Sequence, residues 1–503
     1  MAIVEAIGAF AFLSLIWFLS KIRSPIIDWP ILGMIPGCLI NVHRVHSYFR
    51  YLLEETNHTI KIKGLWFTKM SFILTSDPEN IHHIYSTNFT NYNKGTHFKE
   101  IFQILGDGIL AAESDSWRMQ RKLNHSLFRQ NNFLNLVETT SQQKVEMGLF
   151  KILDLASENG LQVDMQDLFQ RFTVDVTCKF LLGSDLNSLS VNLPEVPFAV
   201  AIDDIEEVLL HRHLKPRSLW KLENWLQVGL EKKATKAITT IDSFINQQIS
   251  LKQKQHRKRT AQRGAKEEGF DLVSNFMTDE VAAKCTSSEK SLETFLRDSV
   301  LSILIAGRDT SSTALTWFLW IVSTNPLVKS KIREELQVTF QMKEGDQWRF
   351  PIGQELNELI YLHASLCETL RLYPPVPFNH KASVKSDILP SGHRVNKETA
   401  ILISMYAMGT MKEIWRADCC EFKPERWISE KGSILNIPSY KYNVFGAGPR
   451  TCLGKDLALR EMKVAAAAII WNYDLEIVKD HPVIAANSVI LHMQHGLKVR
   501  VTK

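Results

Sequence analysis

The stretch Phe445-Gly-Ala-Gly-Pro-Arg-Thr-Cys452-Leu-Gly454 offers a single thiol in a glycine-rich loop, directly before a long run with helical periodicity. Gly446, Gly448 and Gly454 permit backbone angles and close approaches that a Cβ forbids, so the loop can fold round the sulfur with its N–H groups turned inward. That is a way to hold a metal by one sulfur, with Cys452 as the candidate ligand. Pro449 stiffens the turn. Arg450 is placed to pair an anionic group beside the metal, and Phe445 can cover the far side of the sulfur. A lone intracellular cysteine is more often an ordinary buried thiol. The surrounding pattern F-x-x-G-x-R-x-C-x-G reverses that default.

Upstream, the run from Leu296 to Thr324 lacks proline and is apolar on most faces, which describes a long helix crossing the interior. Arg308 and Asp309 in its middle exclude a membrane span. Gly307 lies inside Ala306-Gly-Arg-Asp-Thr310, where a helical glycine costs about 1 kcal/mol relative to alanine. The expected compensation is room beside a flat cofactor. The Thr310 hydroxyl can bond back to the carbonyl four residues earlier and loosen the helix there. Trp117 and Arg121, four apart on an apparent helix, share a face from which both can donate to one carboxylate. Glu368 and Arg371 share a face in another helical segment, stopped by Pro374-Pro375, and Pro424-Glu-Arg426-Trp427 supplies a further arginine.

The cysteine loop resembles the haem-binding signature of the cytochrome P450 superfamily, and the other motifs stand in that family's order over Trp117 to Gly454. The resemblance implies a mainly α fold with a smaller β-rich lobe, and haem b between the long helix and the loop. Cys452 would be the axial thiolate, which pushes electron density onto iron and favours O–O cleavage. It also implies that Thr310 steadies activated oxygen while Asp309 relays protons beside Ala306 and Gly307. Trp117 and Arg121 would meet a haem propionate, and Glu368, Arg371 and Arg426 would form a buried network behind the loop. Trp427 stands where the family commonly has phenylalanine. His380, or Lys381 beside it, is the candidate for a second propionate contact.

The 503 residues, 45% hydrophobic and 22% charged, can bury a large core, and no linker or repeat divides them. One domain over 41–503 is expected. Residues 1–20 are almost wholly apolar and are followed by Lys21 and Arg23. A helix of that length reaches about 28 Å, close to the hydrocarbon thickness of a bilayer. The positive-inside bias then puts the body in the cytosol, below a single anchor in the endoplasmic reticulum and a Pro-rich linker at 21–40. Seven irregularly spaced cysteines argue against a disulfide framework or a zinc site. The formal charge of +5 is modest, and the basic run from Lys252 to Lys266 lacks interleaved aromatics, so no nucleic-acid role is indicated. That run reads as a solvated inter-helix loop.

Leu209 to Trp220 mixes apolar and basic residues, fitting either a membrane-dipping segment or a basic loop, and the family resemblance places a mobile lid nearby. Ser488 to Val501 reads as a hairpin turning at His495-Gly496. Nothing in the chain resembles a flavin or nicotinamide domain, so a separate membrane-bound, NADPH-dependent reductase is the expected electron donor. Arg118, Lys122 and Lys455 are candidates to face it. Arg308 in A-G-R-D-T, Pro-Pro-Val-Pro-Phe378 and Leu389-Pro-Ser-Gly-His393 are similar to a plant clan of fatty-acid omega-hydroxylases and mid-chain alkane hydroxylases. A hydrophobic long-chain substrate is therefore expected, with phenol coupling of an alkaloid precursor as the alternative. A hydroperoxide-rearranging enzyme or a non-catalytic haem carrier would have no use for the Asp309–Thr310 pair.

Overall fold

The computed structural model describes residues 26–29, 31–66, 68, 70–261, 271–278, 292–343, 345–351 and 354–503. The expected anchor, the start of the linker and Cys285 lie outside these residues. Among the described residues no helix is long and apolar enough to cross a membrane.

Helices dominate, and they pack round the run over Leu292–Thr324, buried on nearly every face from Leu296 to Val322. Its partner is the Met165–Leu182 helix, which the Asp164 carboxylate caps by accepting from Gln166 N at 2.9 Å. Gly183, at φ +64°, ends it. Phe169, Phe172, Val176 and Leu181 of this partner join Leu301, Leu304, Leu315 and Phe318 of the central helix in one apolar cluster. Each such side chain stabilises the fold by about 1.5–3 kcal/mol on burial. Helices Ile360–Leu372 and Lys455–Asn472 pack on the central helix as well.

The β-rich part is smaller, as expected. Its main sheet runs Thr59–Ile62, Phe72–Thr75, Ala400–Ser404, Phe378–Ser383 and Tyr92–Asn93 in spatial order. All pairings are antiparallel except that of Phe72–Thr75 with Ala400–Ser404. His380 pairs with Leu402 and Lys381 with Ile401.

Three local readings change. Lys252 to Ala261 is not loop: it continues the Gly229–Ala261 helix. Leu209 to Trp220 belongs to two helices, Pro197–Leu214 and Arg217–Leu226, broken at Lys215-Pro216 because proline restricts the residue before it. The terminal hairpin does not form as expected. Lys498–Thr502 pairs with Asp474–Ile477 and Gln162–Asp164, and only a bridge from Ala485 to Met493 closes the preceding turn. Sheet partners far away in sequence outcompete the local one.

Candidate active site

In the cysteine loop, Cys452 N–H donates to Phe445 O at 2.7 Å, closing the turn. Gly448 has φ +60°, and a Cβ there would stand 2.0 Å from Tyr85 O, so only glycine fits. Gly446 is also left-handed, at φ +72°. Gly454 differs. Its φ is −88°, and an added Cβ would meet only Cys452 Sγ, at an ordinary contact distance of 4.0 Å, so neither backbone angle nor space requires glycine there. The Ser114–Phe128 helix is tied to the loop by Arg121 Nη1, which donates to Thr451 O at 2.8 Å. Burial pushes the Cys452 thiol up, against the Gly454 N–H and the Arg121 charge. Lys455 lies over the Phe445 ring at 5.6 Å.

Cys452 opens into a cavity of about 1160 Å³ whose lining also includes Ala306, Gly307 and Thr310 of the central helix. Thr310 Oγ1 donates to Ala306 O at 2.6 Å, while the helix stays continuous. Gly307 has a further cause besides its place in the cavity wall. A Cβ at 307 would lie 2.6 Å from Thr177 Oγ1, so the glycine lets the two long helices approach. Asp309 turns away from the cavity into a buried cluster, where Arg308 Nη1 donates to Asp309 Oδ1 at 2.5 Å and to Asp203 Oδ1 at 2.8 Å. Burial raises the Asp309 carboxyl above its ordinary range, with Arg308 opposing.

One side of the cavity is cationic. Lys94, Arg121, Lys381 and Arg450 all line it. Arg450 is partly spoken for: Nη2 donates to Glu113 Oε2 at 2.7 Å and to Ala112 O at 2.8 Å, and its guanidinium lies 4.4 Å from the Trp117 ring centre. Lys381 is not. Only 2% exposed, its Nζ has no hydrogen-bond partner, and burial, with Lys94 and Arg450 adding, pushes it down to about 7. His380, the adjacent strand position, leads elsewhere. Its Nε2 meets His213 Nε2 at 2.8 Å, and its ring packs on Phe98 and Phe102. His213 Nδ1 lies 2.6 Å from Leu209 O and must donate to it, so His213 Nε2 accepts and His380 Nε2 donates.

Behind the loop, Glu368 is fully buried and accepts N–H bonds from Arg371 Nε and Nη2 (2.7 Å each), Lys423 N (2.9 Å), Arg426 Nε (3.3 Å) and Trp427 Nε1 (2.8 Å). Arg371 also donates to the carbonyls of Gly409, Cys419 and Glu421. Trp427 thus joins the network through its indole N–H, which phenylalanine lacks and which the sequence reading did not anticipate. The Tyr442 ring, 4.5 Å from that of Trp427, carries the packing on to the loop three residues before Phe445.

Residues 24–500 match the Cytochrome P450 family. The chain is 42% identical over 476 residues to alkane hydroxylase MAH1 of Arabidopsis thaliana, covering 95% of this chain and 93% of that protein. It is 39% identical over 481 residues to noroxomaritidine synthase 1 of Narcissus pseudonarcissus, covering 95% and 91%. It is 32% identical over 504 residues to cytochrome P450 86B1 of Arabidopsis thaliana, covering 98% and 89%. The protein therefore belongs to the cytochrome P450 family and is a monooxygenase. Membership implies haem iron, and the residues present fit it. A buried, unpartnered ammonium at Lys381, in a wall with more cations than acids, suits a flat apolar group bearing two carboxylates.

Proposed function

We propose that the protein hydroxylates a long-chain alkane or fatty-acid derivative while anchored in the endoplasmic reticulum membrane through residues 1–20. The shape and rim of the cavity carry this reading. From Cys452 and Thr310 it extends between apolar side chains such as Ile202, Ile205, Leu209 and Leu370 to a rim that includes Leu39, Arg217 and Lys221. Exposed apolar residues flank that rim: Leu39 and Ile40 on one segment, and Leu219, Leu222, Trp225 and Leu226 on the Arg217–Leu226 helix. A mouth framed by such side chains takes a water-insoluble chain directly from the bilayer. The alkane hydroxylase named above is a relative of matching extent.

In this reading Cys452 Sγ ligates the iron of haem b. Trp117, Arg121, Lys381 and Arg450 hold its propionates, with Phe445 beside the sulfur, and His380 works with His213 on the substrate side. When bound, the haem supplies activation of O2, so that R–H, O2, two electrons and two protons become R–OH and water. The chain's own residues govern the protons and the water. Thr310 Oγ1, held by Ala306 O, presents a hydroxyl to the cavity, and Asp309 is the acid next in line. A separate NADPH-dependent reductase delivers the electrons one at a time, docking by Lys122 and Lys455, both exposed near the loop.

Thr310→Ala is expected to retain haem and fold while diverting most NADPH-derived electrons to hydrogen peroxide. An unchanged ratio of product to NADPH consumed removes Thr310 from its role. The wider reading is tested in carbonate-washed membranes carrying the protein and a reductase, fed alkanes, fatty acids and phenolic amines, with products identified by mass spectrometry. Hydroxylated aliphatic products with substrate-stimulated NADPH oxidation are expected. Coupled phenols would instead favour the reading that the noroxomaritidine synthases represent. Loss of the protein to the carbonate wash would remove the anchor.

A further inference from the structure

The acids buried around Asp309 outnumber the base that meets them. Arg308, 1% exposed, serves both Asp309 and Asp203 through Nη1. Glu206 reaches the same cluster from the Pro197–Leu214 helix, three residues after Asp203, and its buried carboxyl is a neighbour of that of Asp309. Glu206 Oε1 and Asp309 Oδ2 are both buried with no N–H or O–H donor against them. Two ionised carboxylates do not face each other in a dry interior, and two orphaned acceptors there are costly. A single proton between them removes both faults.

The other oxygen, Glu206 Oε2, faces Ser488 Oγ at 3.5 Å and His492 Nδ1 at 3.9 Å. Both belong to the C-terminal loop, which Trp317 of the central helix fixes by donating Nε1–H to Leu491 O at 2.6 Å. His492 is 25% exposed and Asp203 47%, so the cluster touches solvent at both ends.

We propose that Glu206 stores the proton of a Glu206–Asp309 carboxyl pair and passes it to Asp309 Oδ2 during turnover, while Ser488 and His492 return one from solvent. Each proton given is replaced, so the charge of the cluster is the same before and after. The proposal rests on the reading of Asp309 as the acid behind Thr310. Burial, with Asp309 and Asp203 adding, pushes Glu206 well above the ordinary carboxyl range, and the Arg308 guanidinium donates to Asp309 Oδ1, so the charge is assigned to Asp309 and the proton to Glu206. The groups facing the pair are Arg308 on the central helix, Asp203 on the neighbouring one, and Ser488 and His492 on the loop; His492 is held neutral by burial. Because the folded pair binds its proton more tightly than free carboxyls do, the proton is present at low pH and lost as pH rises through the pair's own titration.

Glu206→Gln tests this in the full-length holoprotein. The glutamine amide can still donate to Asp309 Oδ2 but has no proton to release. Infrared difference spectra at neutral pH should show one deuterium-sensitive protonated-carboxyl band in wild type that E206Q lacks and that shifts in Asp309→Asn. With reductase, E206Q should form product about 10-fold more slowly and release several-fold more peroxide per NADPH. Wild-type peroxide release should climb with pH, whereas in E206Q it should be high and flat. A wild-type band pattern in both variants, or wild-type coupling and pH profile in E206Q, overturns the proposal. Should E206Q fail to fold, the D309N spectrum alone decides, since an unshifted band means no pair. Unaltered coupling in D309N overturns the Asp309 reading itself, whatever E206Q does.

Discussion

Cys452→Ser is expected to leave a folded protein whose reduced, carbon monoxide-treated form lacks the red-shifted Soret band of a thiolate ligand, with turnover at background. The side chain opens to the cavity, and the loop is held by bonds to its backbone that serine keeps: Cys452 N to Phe445 O, and the Arg121 side chain's Nη1 to Thr451 O. The change therefore acts on the proposed ligand atom and not on its frame. A serine oxygen cannot push electron density onto iron as a thiolate does. Thermal melting within a few degrees of wild type, together with loss of the band, is the expected pair of results. A retained red-shifted band would mean that another thiol ligates the iron. The six described cysteines are all free, so the remaining thiols can be replaced one at a time to find it.

Glu368→Ala carries the second large effect, and it falls on assembly before chemistry. Removal of the carboxylate strands the Arg371 guanidinium, 1% exposed, together with the Trp427 indole N–H and the Lys423 N–H that faced it. Breaking one partner of a buried ionic network costs about 3–5 kcal/mol. Against a total stability of about 5–15 kcal/mol, this should leave little haem-loaded protein at 37 °C. The measurement is haem per polypeptide in the purified protein, with normal content as the contrary result. Trp427→Phe gives the graded contrast. It removes one of five donors and should cost about 1 kcal/mol, with haem content preserved. Equal losses in both variants would mean that the Trp427 indole bond to Glu368, which both remove, and not the charge network holds the loop.

The motifs legible in the chain lie within one turn or one helix. The left-handed Gly446 and Gly448, the Thr310 hydroxyl on Ala306 O and the Glu368–Arg371 pair all follow from residues at most a few positions apart, where backbone geometry dictates who meets whom. Patterns needing a distant partner were not legible in this way. The close helix approach that Gly307 allows could not be read, because its partner Thr177 lies 130 positions away in sequence. His380 and Lys381 could not be told apart until the strand pairing sent one toward His213 and the other toward Tyr85.

The amino-acid order alone was enough to point, through its resemblance, to the mainly helical cytochrome P450 fold, and to set Cys452 in a glycine-pinned loop and Thr310 on a long helix, because loop and helix spacings are local geometry. Tertiary structure alone decided the company those residues keep: Glu113 against Arg450, Trp427 on Glu368, and Glu206 facing Asp309. The reason is physical. A buried polar atom takes whatever donor or acceptor packing brings to it, and packing joins segments whose separation along the chain carries no record of their meeting.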